Sequence, residues 1–430
     1  MKPSKYNFDI LDPFWYISVL LFFLVPLKCI VITMLFGWSE YSKEYPSLNE
    51  SLILTILFII PLYMSLMVFL KTKKMNMLFF IKEHNVKLTL SPTIVICIFA
   101  GFLFFAELNI RGLSIYLLIA NSFVEYKTAE NSITGLILSS SYSILLNLAI
   151  FLNAATLYSK GKNLPSLLIA IGVYVLISIF TGSRHTFVIM FFNILLARNI
   201  YYKKLNIKKF LLLAIVGVVF AGFYGQVRMT KDVINNPEVL LRITDSNTVK
   251  GYVFDVLDKR FDSYFPNIAI YLENRDLFGL RYGYDILKLV IMPIPRSILP
   301  EKDILFGQEF NDKLQIISKG GTGYSPIVEA MVNFSIPGII VYAILGSFLL
   351  SVLSNEYRYN MRRRNKLTLF YIVNIGMIVP SCVIISSGYG SIGMLLFVMN
   401  TILYLIILKF LQVFCSMKNS FTGINHPQLQ

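Results

Sequence analysis

The sequence predicts an all-α polytopic membrane protein with about ten transmembrane helices and one large extracytoplasmic loop. Three observations predict it. The 430 residues are 56% hydrophobic and only 15% charged, with a mean hydropathy of +0.66, whereas soluble domains carry about 25% charge. The apolar residues fall in blocks of about 18 or more, long enough to cross a hydrocarbon core of about 30 Å as helix. The blocks lack the alternation of a membrane barrel, so helices are the spanning form. The connections between them are basic on one side only, which orients the chain.

Taken in order, the expected spans are residues 14–37, 51–70, 88–106, 132–157, 164–181, 185–201, 209–227, 327–354, 367–387 and 391–413. The first block is too long for a signal peptide, and no small-residue cleavage site follows it, so it reads as a permanent span. The basic connections Lys71-Lys73-Lys74, Lys160-Lys162, Arg198 to Lys209 and Arg358 to Lys366 are each separated from the N-terminus by an even number of spans. All then lie on the cytoplasmic side, with both termini. The net charge of +15 is therefore mostly topology and gives no reason to invoke a nucleic-acid partner. Residues 107–131 mix Glu107, Arg111, Glu125 and Glu130 with apolar runs and read as an interfacial helix on the outer surface.

This layout divides the chain into membrane helices over 1–227, a large outer loop over 228–326, membrane helices over 327–415 and a cytoplasmic tail over 416–430. Long loops are usually functional. Within this one, Lys288 to Ile298 is apolar, too short to span, and contains Pro293 and Pro295, as a re-entrant or interface-lying helix would.

The four cysteines and three histidines form no disulfide framework and no metal-ligand spacing, and no cofactor is expected. Nucleotide-binding and hydrolase-elbow motifs are missing from the sequence, so energy for any chemistry should arrive in the substrate. The outer arginines are the informative feature. Arg184 lies in the turn Thr181-Gly182-Ser183-Arg184-His185, and Arg228 where the seventh span ends. Arg260, Arg275, Arg281 and Arg296 follow in the loop. Topology depletes arginine on this side, and guanidinium groups match phosphate oxygens in a planar fork. The competing reading pairs each with nearby carboxylates or lipid head groups. The segment Gly320-Gly321-Thr322-Gly323-Tyr324-Ser325-Pro326 forms a hinge before a span whose first turn holds Glu329. That carboxylate either complements the helix dipole or serves a sugar hydroxyl as base. His185 and Tyr324 are further base candidates.

These residues together resemble the Wzy family of bacterial O-antigen and oligosaccharide repeat-unit polymerases. The resemblance rests on the Gly182-Ser183-Arg184 turn, the late outer loop, and the stretch Gly321 to Gly338 with Glu329, Asn333 and Phe334. It also rests on Pro295-Arg296 followed by Pro300-Glu301-Lys302, and on the Arg-x10-Gly spacing of Arg296 and Gly307. It implies a GT-C-like fold in the bacterial inner membrane and a metal-independent glycosyltransferase. The substrate would be an oligosaccharide on undecaprenyl pyrophosphate, and a chain-length regulator and a flippase would be partners. Arg184, Arg228 and Arg296 would grip the pyrophosphate, supported by Arg260, Arg281 and Lys302. Glu329, Tyr324 or His185 would activate the acceptor hydroxyl, and Tyr264 and Tyr282 would stack on sugars. An O-antigen ligase and a lipid-linked oligosaccharide flippase are the rival readings.

Overall fold

The computed structural model describes residues 9, 11–22, 25–26, 28–35, 37–71, 90–113, 133–181, 184–203, 265–285, 309–310, 313–314, 325–385 and 390–421. Among the described residues all regular structure is helical. In chain order the helices are α1 (Pro13–Phe22), α2 (Lys28–Leu35), α3 (Trp38–Glu44), α4 (Leu48–Phe69), α5 (Leu90–Ile110), α6 (Ile133–Lys160), α7 (Leu164–Thr181) and α8 (Arg184–Tyr201). There follow α9 (Phe265–Glu273), a 3-10 turn (Arg275–Leu277), α10 (Pro326–Arg363), α11 (Lys366–Tyr371), a π turn (Ile372–Gly376), α12 (Ile378–Ile384) and α13 (Gly390–Phe421).

Six stretches among the described residues are long and apolar enough to cross a membrane: Leu48–Phe69, Leu90–Ile110, Thr134–Lys160, Leu164–Thr181, Pro326–Arg363 and Lys366–Ile384. Shorter apolar helices run over Pro13–Phe22, Phe187–Tyr201 and Leu396–Leu411. Nine of the ten expected apolar segments thus coincide with helix, and the tenth, 209–227, lies outside the described residues, as does the expected re-entrant helix over 288–298. Of the interfacial stretch, residues 114–131 also lie outside; its start is the end of α5, where Arg111 pairs with Glu107 at 2.7 Å. The block at 14–37 differs from expectation, forming α1 and α2 as separate short helices. Pro26 lies between them, and its missing amide and fixed φ oppose a continuous helix.

The solvent-type logic of a soluble protein is inverted on these helices. The buried face of α4 carries Leu48, Ser51, Thr55, Phe58, Leu62 and Leu66, and its exposed face carries Ile53, Ile56, Ile60, Met64 and Met67. Helix α5 repeats the pattern, exposing Ile94, Ile98, Phe102 and Phe105. Apolar faces this continuous need a non-aqueous neighbour, and a lipid hydrocarbon supplies it. The chain is a multi-pass membrane protein.

Two compact units emerge. One comprises 79–245, 363–371 and 399–430. Its centre is α6, which packs against α5, α7 and α8 and buries Leu146, Leu148, Ile150 and Phe151 completely. Fully buried Ala149, Ala154, Ala170 and Ala197 let the backbones approach, as small residues do between membrane helices. Neutral polar side chains join the helices. Asn147 Nδ2 donates to the Tyr174 hydroxyl at 2.7 Å, Asn193 Nδ2 to Asn147 Oδ1 at 2.9 Å, and Asn153 Nδ2 to Thr93 Oγ1 at 3.0 Å. The Tyr404 hydroxyl donates to the Leu367 carbonyl at 2.8 Å.

The other unit comprises 1–78, 246–362 and 372–398. Its core joins Phe14 and Ile17 of α1, Phe58 and Leu62 of α4, Ile268 of α9, and Ile327, Val328 and Ile339 of α10. Helix α9 packs on α4, and the Glu273 carboxylate accepts the Ser47 amide at 3.0 Å at the start of α4. Near the far end of α10, Arg358 and Ser354 donate to the buried Asp12 carboxylate, which also accepts the Phe14 amide at 3.0 Å. Burial pushes the Asp12 carboxyl above its ordinary pKa, against the pull of Arg358 and Ser354.

Helix α10 is the element that shapes the site. Ser325 caps it, its hydroxyl accepting the Ile327 amide at 3.2 Å, and Pro326 takes the first helical position, where its missing N–H costs nothing. At Ser335 the backbone leaves the helix (φ 57°, ψ −155°), and Pro337 follows two residues later. Residues 326–334 fold back against the remainder: a Cβ on Gly338 would lie 2.3 Å from the Ala330 carbonyl oxygen, though eight residues of straight helix span about 12 Å. The expected single span at 327–354 is therefore a short arm and a long helix joined by a sharp break. The cause is local, since proline cannot donate to the preceding turn and only glycine fits against the Ala330 carbonyl.

Candidate functional site

The break leaves backbone groups that the helix itself no longer satisfies, and the segment 281–285 engages them. In an intact helix the Val332 carbonyl would accept from residue 336; here it accepts the Arg281 amide at 2.9 Å. Asn333 grips Asp285 twice, its Nδ2 donating to Asp285 Oδ2 at 3.2 Å and its Oδ1 accepting the Asp285 amide at 3.3 Å. The same Nδ2 also donates to the Glu329 carbonyl at 2.9 Å. The approach is close enough to require Gly283: its φ is +82°, and a Cβ there would stand 2.7 Å from Phe334 Cζ. Tyr282, with φ 51°, presents its ring outward at 80% exposure.

A charged cluster grows from this clasp. Arg281 Nη1 donates to Asp285 Oδ1 at 2.9 Å, and its Nη2 pairs with the Glu309 carboxylate. The second Glu309 oxygen takes Lys313 Nζ at 2.9 Å. Lys313 is itself fixed, donating to the Leu277 carbonyl at 2.9 Å and lying 5.3 Å over the Phe278 ring centroid. Phe278 stacks on the fully buried Phe310 with centroids 5.4 Å apart, which anchors the residue next to Glu309. Burial works against the Arg281 charge, but Glu309 and Asp285 more than offset it and hold the guanidinium above its ordinary pKa. Burial likewise raises Glu309, and Arg281 with Lys313 outweigh it, leaving that carboxyl below its ordinary value.

Glu329 lies one helical turn before Asn333 and is only 7% exposed. Because the arm folds back, the Tyr342 hydroxyl hydrogen-bonds this carboxylate; thirteen residues of straight helix would hold the two about 20 Å apart. The unit therefore gathers a guanidinium, an ammonium, three carboxylates and a phenol around one helix break. Among the described residues no group of His, Cys, Asp or Glu has the arrangement of a metal site.

Of the residues expected from sequence, the structure brings together Arg281 and Glu329, linked through Asp285 and Asn333, with Tyr282 beside them. Arg184 and His185 open α8, but their side chains are outside the described set. Arg228, Arg260, Tyr264, Arg296, Lys302 and Tyr324 lie outside the described residues. Sequence reasoning did not single out Asp285, Glu309, Lys313 or Tyr342. A signal existed for three of them in the four-residue spacing of Arg281 with Asp285 and of Glu309 with Lys313, although the first pair meets across the turn at Tyr282 and Gly283 and not along a helix.

Compared with known proteins, the chain matches the family model described as O-antigen polysaccharide polymerase Wzy over residues 5–419. No curated protein and no solved structure matches. A match spanning nearly the whole chain, on a protein whose described regular structure is helical, with lipid-facing apolar helices and a polar cluster at a helix break, shows that this chain belongs to the O-antigen polysaccharide polymerase family Wzy.

Proposed function

We propose that the protein polymerises lipid-linked oligosaccharide repeat units by transferring the growing glycan from undecaprenyl pyrophosphate to a new repeat unit at the periplasmic face of the bacterial inner membrane. The observation that carries this reading is the broken start of α10, where the buried carboxylate of Glu329 stands near a cluster built on Arg281. The acceptor hydroxyl attacks the anomeric carbon and its proton passes to Glu329. The bond from that carbon to the pyrophosphate breaks, and its electron pair leaves on the phosphate oxygen. Arg184, Arg228 and Arg296 neutralise the departing diphosphate, with Arg260, Arg281 and Lys302 in secondary roles. Tyr324 and His185 share the positioning of the acceptor, and Tyr264 and Tyr282 offer ring faces to the sugars. No metal is assigned a role in this scheme.

The topology proposed is the GT-C-like, roughly ten-span layout with both termini cytoplasmic and 228–326 outside. The sidedness rests on the basic connections, and the spanning of α10 on its length: from the break to Arg358 runs about 33 Å of helix, one hydrocarbon thickness, with the Arg281 cluster at one end and Asp12 at the other. A chain-length regulator and a flippase are the proposed partners.

The test is a surface-polysaccharide ladder comparing wild type, a deletion, Arg184→Ala and Glu329→Gln, with membrane abundance of each measured. Core carrying a single repeat unit in the deletion and in both variants is the expected result. Bare core with polymer accumulating on the lipid carrier would make the protein a ligase. An unchanged ladder in a strain that makes such polymer would sink both enzymes and favour transport.

A further inference from the structure

The two cations beside the break have a feature that the transfer chemistry does not explain. Arg281 and Lys313 reach the same carboxylate, each holding one oxygen of Glu309. Each is also held independently: Arg281 by Asp285, and Lys313 by the Leu277 carbonyl and the Phe278 ring. Withdrawing Glu309 would leave both cations in place, aimed at the same small volume. The two carboxylates of the cluster are not equivalent. Asp285 is clamped through its side chain and its amide by Asn333, and its side chain is 7% exposed. The Glu309 side chain is 26% exposed, and its described polar partners are those two cations.

We propose that Arg281 and Lys313 form an oxyanion-binding site whose resting occupant is the Glu309 carboxylate, displaced when an oxyanion of the substrate arrives. Two cations this close repel unless an anion lies between them, so the seat must be filled, by Glu309 when the site is idle and by ligand when it is engaged. The exchange is nearly balanced, because charge-assisted bonds are replaced in kind. Glu309 thereby sets the threshold for binding and shields the cations from adventitious anions. The oxyanion has two chemical sources, a phosphoryl group of the lipid diphosphate or the carboxylate of an acidic sugar. The inference rests on the polymerase reading only for that choice of source.

The experiment measures binding of inorganic pyrophosphate, and separately of glucuronate, to full-length protein in lipid nanodiscs. Glu309→Gln should tighten binding of at least one of them about tenfold, the effect of losing one charge-assisted competitor. Adding Lys313→Ala should erase the gain. A gain for pyrophosphate alone identifies the diphosphate as the source, and one for glucuronate alone identifies an acidic sugar. No gain for either probe, or a gain that survives Lys313→Ala, overturns the proposal. Should Glu309→Gln not fold, Glu309→Asp keeps the charge but draws it back by one methylene. It too must tighten binding, by about threefold, or the proposal fails. A flat binding response with an intact effect of the deletion on the polymer ladder sinks this inference alone. A binding gain in a protein whose deletion leaves the ladder unchanged sinks the polymerase reading alone.

Discussion

The joints between helices at α6 and those at the start of α10 satisfy buried polar groups in opposite ways. At α6 the joints between helices are neutral, Asn147 with Tyr174 and Asn193, and Asn153 with Thr93, while the ion pair of Arg111 with Glu107 lies within α5 itself. Around the start of α10 they are ionic, with Arg281 and Lys313 against Asp285 and Glu309. Neutral amides inside a membrane bundle lose little on transfer if paired, and they hold helices in register. Charges are expensive there unless paired, and they persist where something is to be bound or moved. On the proposed reading the neutral joints of α6 serve architecture and the ionic cluster at the break serves function, and each half of that contrast can be tested.

The largest effect is expected in the ionic half. Arg281→Ala should lower polymer formed per molecule by about 10²-fold or more, read from ladder length against membrane abundance. Near-normal polymer would place the charged cluster with the architecture. Next comes the break itself: Gly338→Ala sets a Cβ 2.3 Å from the Ala330 carbonyl, and overpacking of this kind costs about 1–3 kcal/mol. A clear fall in thermal midpoint in detergent checks it, whereas an unchanged midpoint would mean that the arm yields freely.

A smaller cost, about 0.6–2 kcal/mol, is expected for Asn147→Ala, with polymer per folded molecule unchanged. Loss of polymer at normal abundance and stability would break the contrast from the neutral side. The smallest effect is on pH. Glu309 is held below its ordinary value by Arg281 and Lys313, so its contribution to stability is complete above the ordinary glutamate pKa and fades as pH falls through the folded value. Thermal midpoints measured from pH 6 to pH 3 should fall less steeply in Glu309→Gln than in wild type. The Asn147 joint contains no carboxylate and should add nothing to that slope.

The contrast also explains what the sequence could disclose. Span-forming blocks announce themselves by composition, and α4, α5, α6 and α7 fall close to where hydropathy puts them. The four-residue spacing of Arg281 with Asp285 leaves a local trace, although Tyr282 and Gly283 between them are not helical. The break in α10 was harder to see, because Ile336-Pro337-Gly338 sits within an apolar run that hydropathy alone reads as one span. Harder still were joints between distant segments. Arg281 meets Glu309 across 28 residues and Asn333 meets Asp285 across 48, and neither separation carries any periodicity. Glu329 was legible as a carboxylate at a helix start, but its approach to Tyr342 depends on the fold-back.

The link between Asp12 and Arg358 spans 346 residues, nearly the whole length of the chain. At about 5–20 residues per second of synthesis, Asp12 waits about 17–70 s in the membrane before its partner exists. Helices α5 to α8 are contiguous in sequence and can close on one another during that interval. The joint between Asp12 and Arg358 therefore closes only after α5 to α8 have been made. The charged cluster likewise waits for α10, because Glu329 and Asn333 lie in the first turns of that helix.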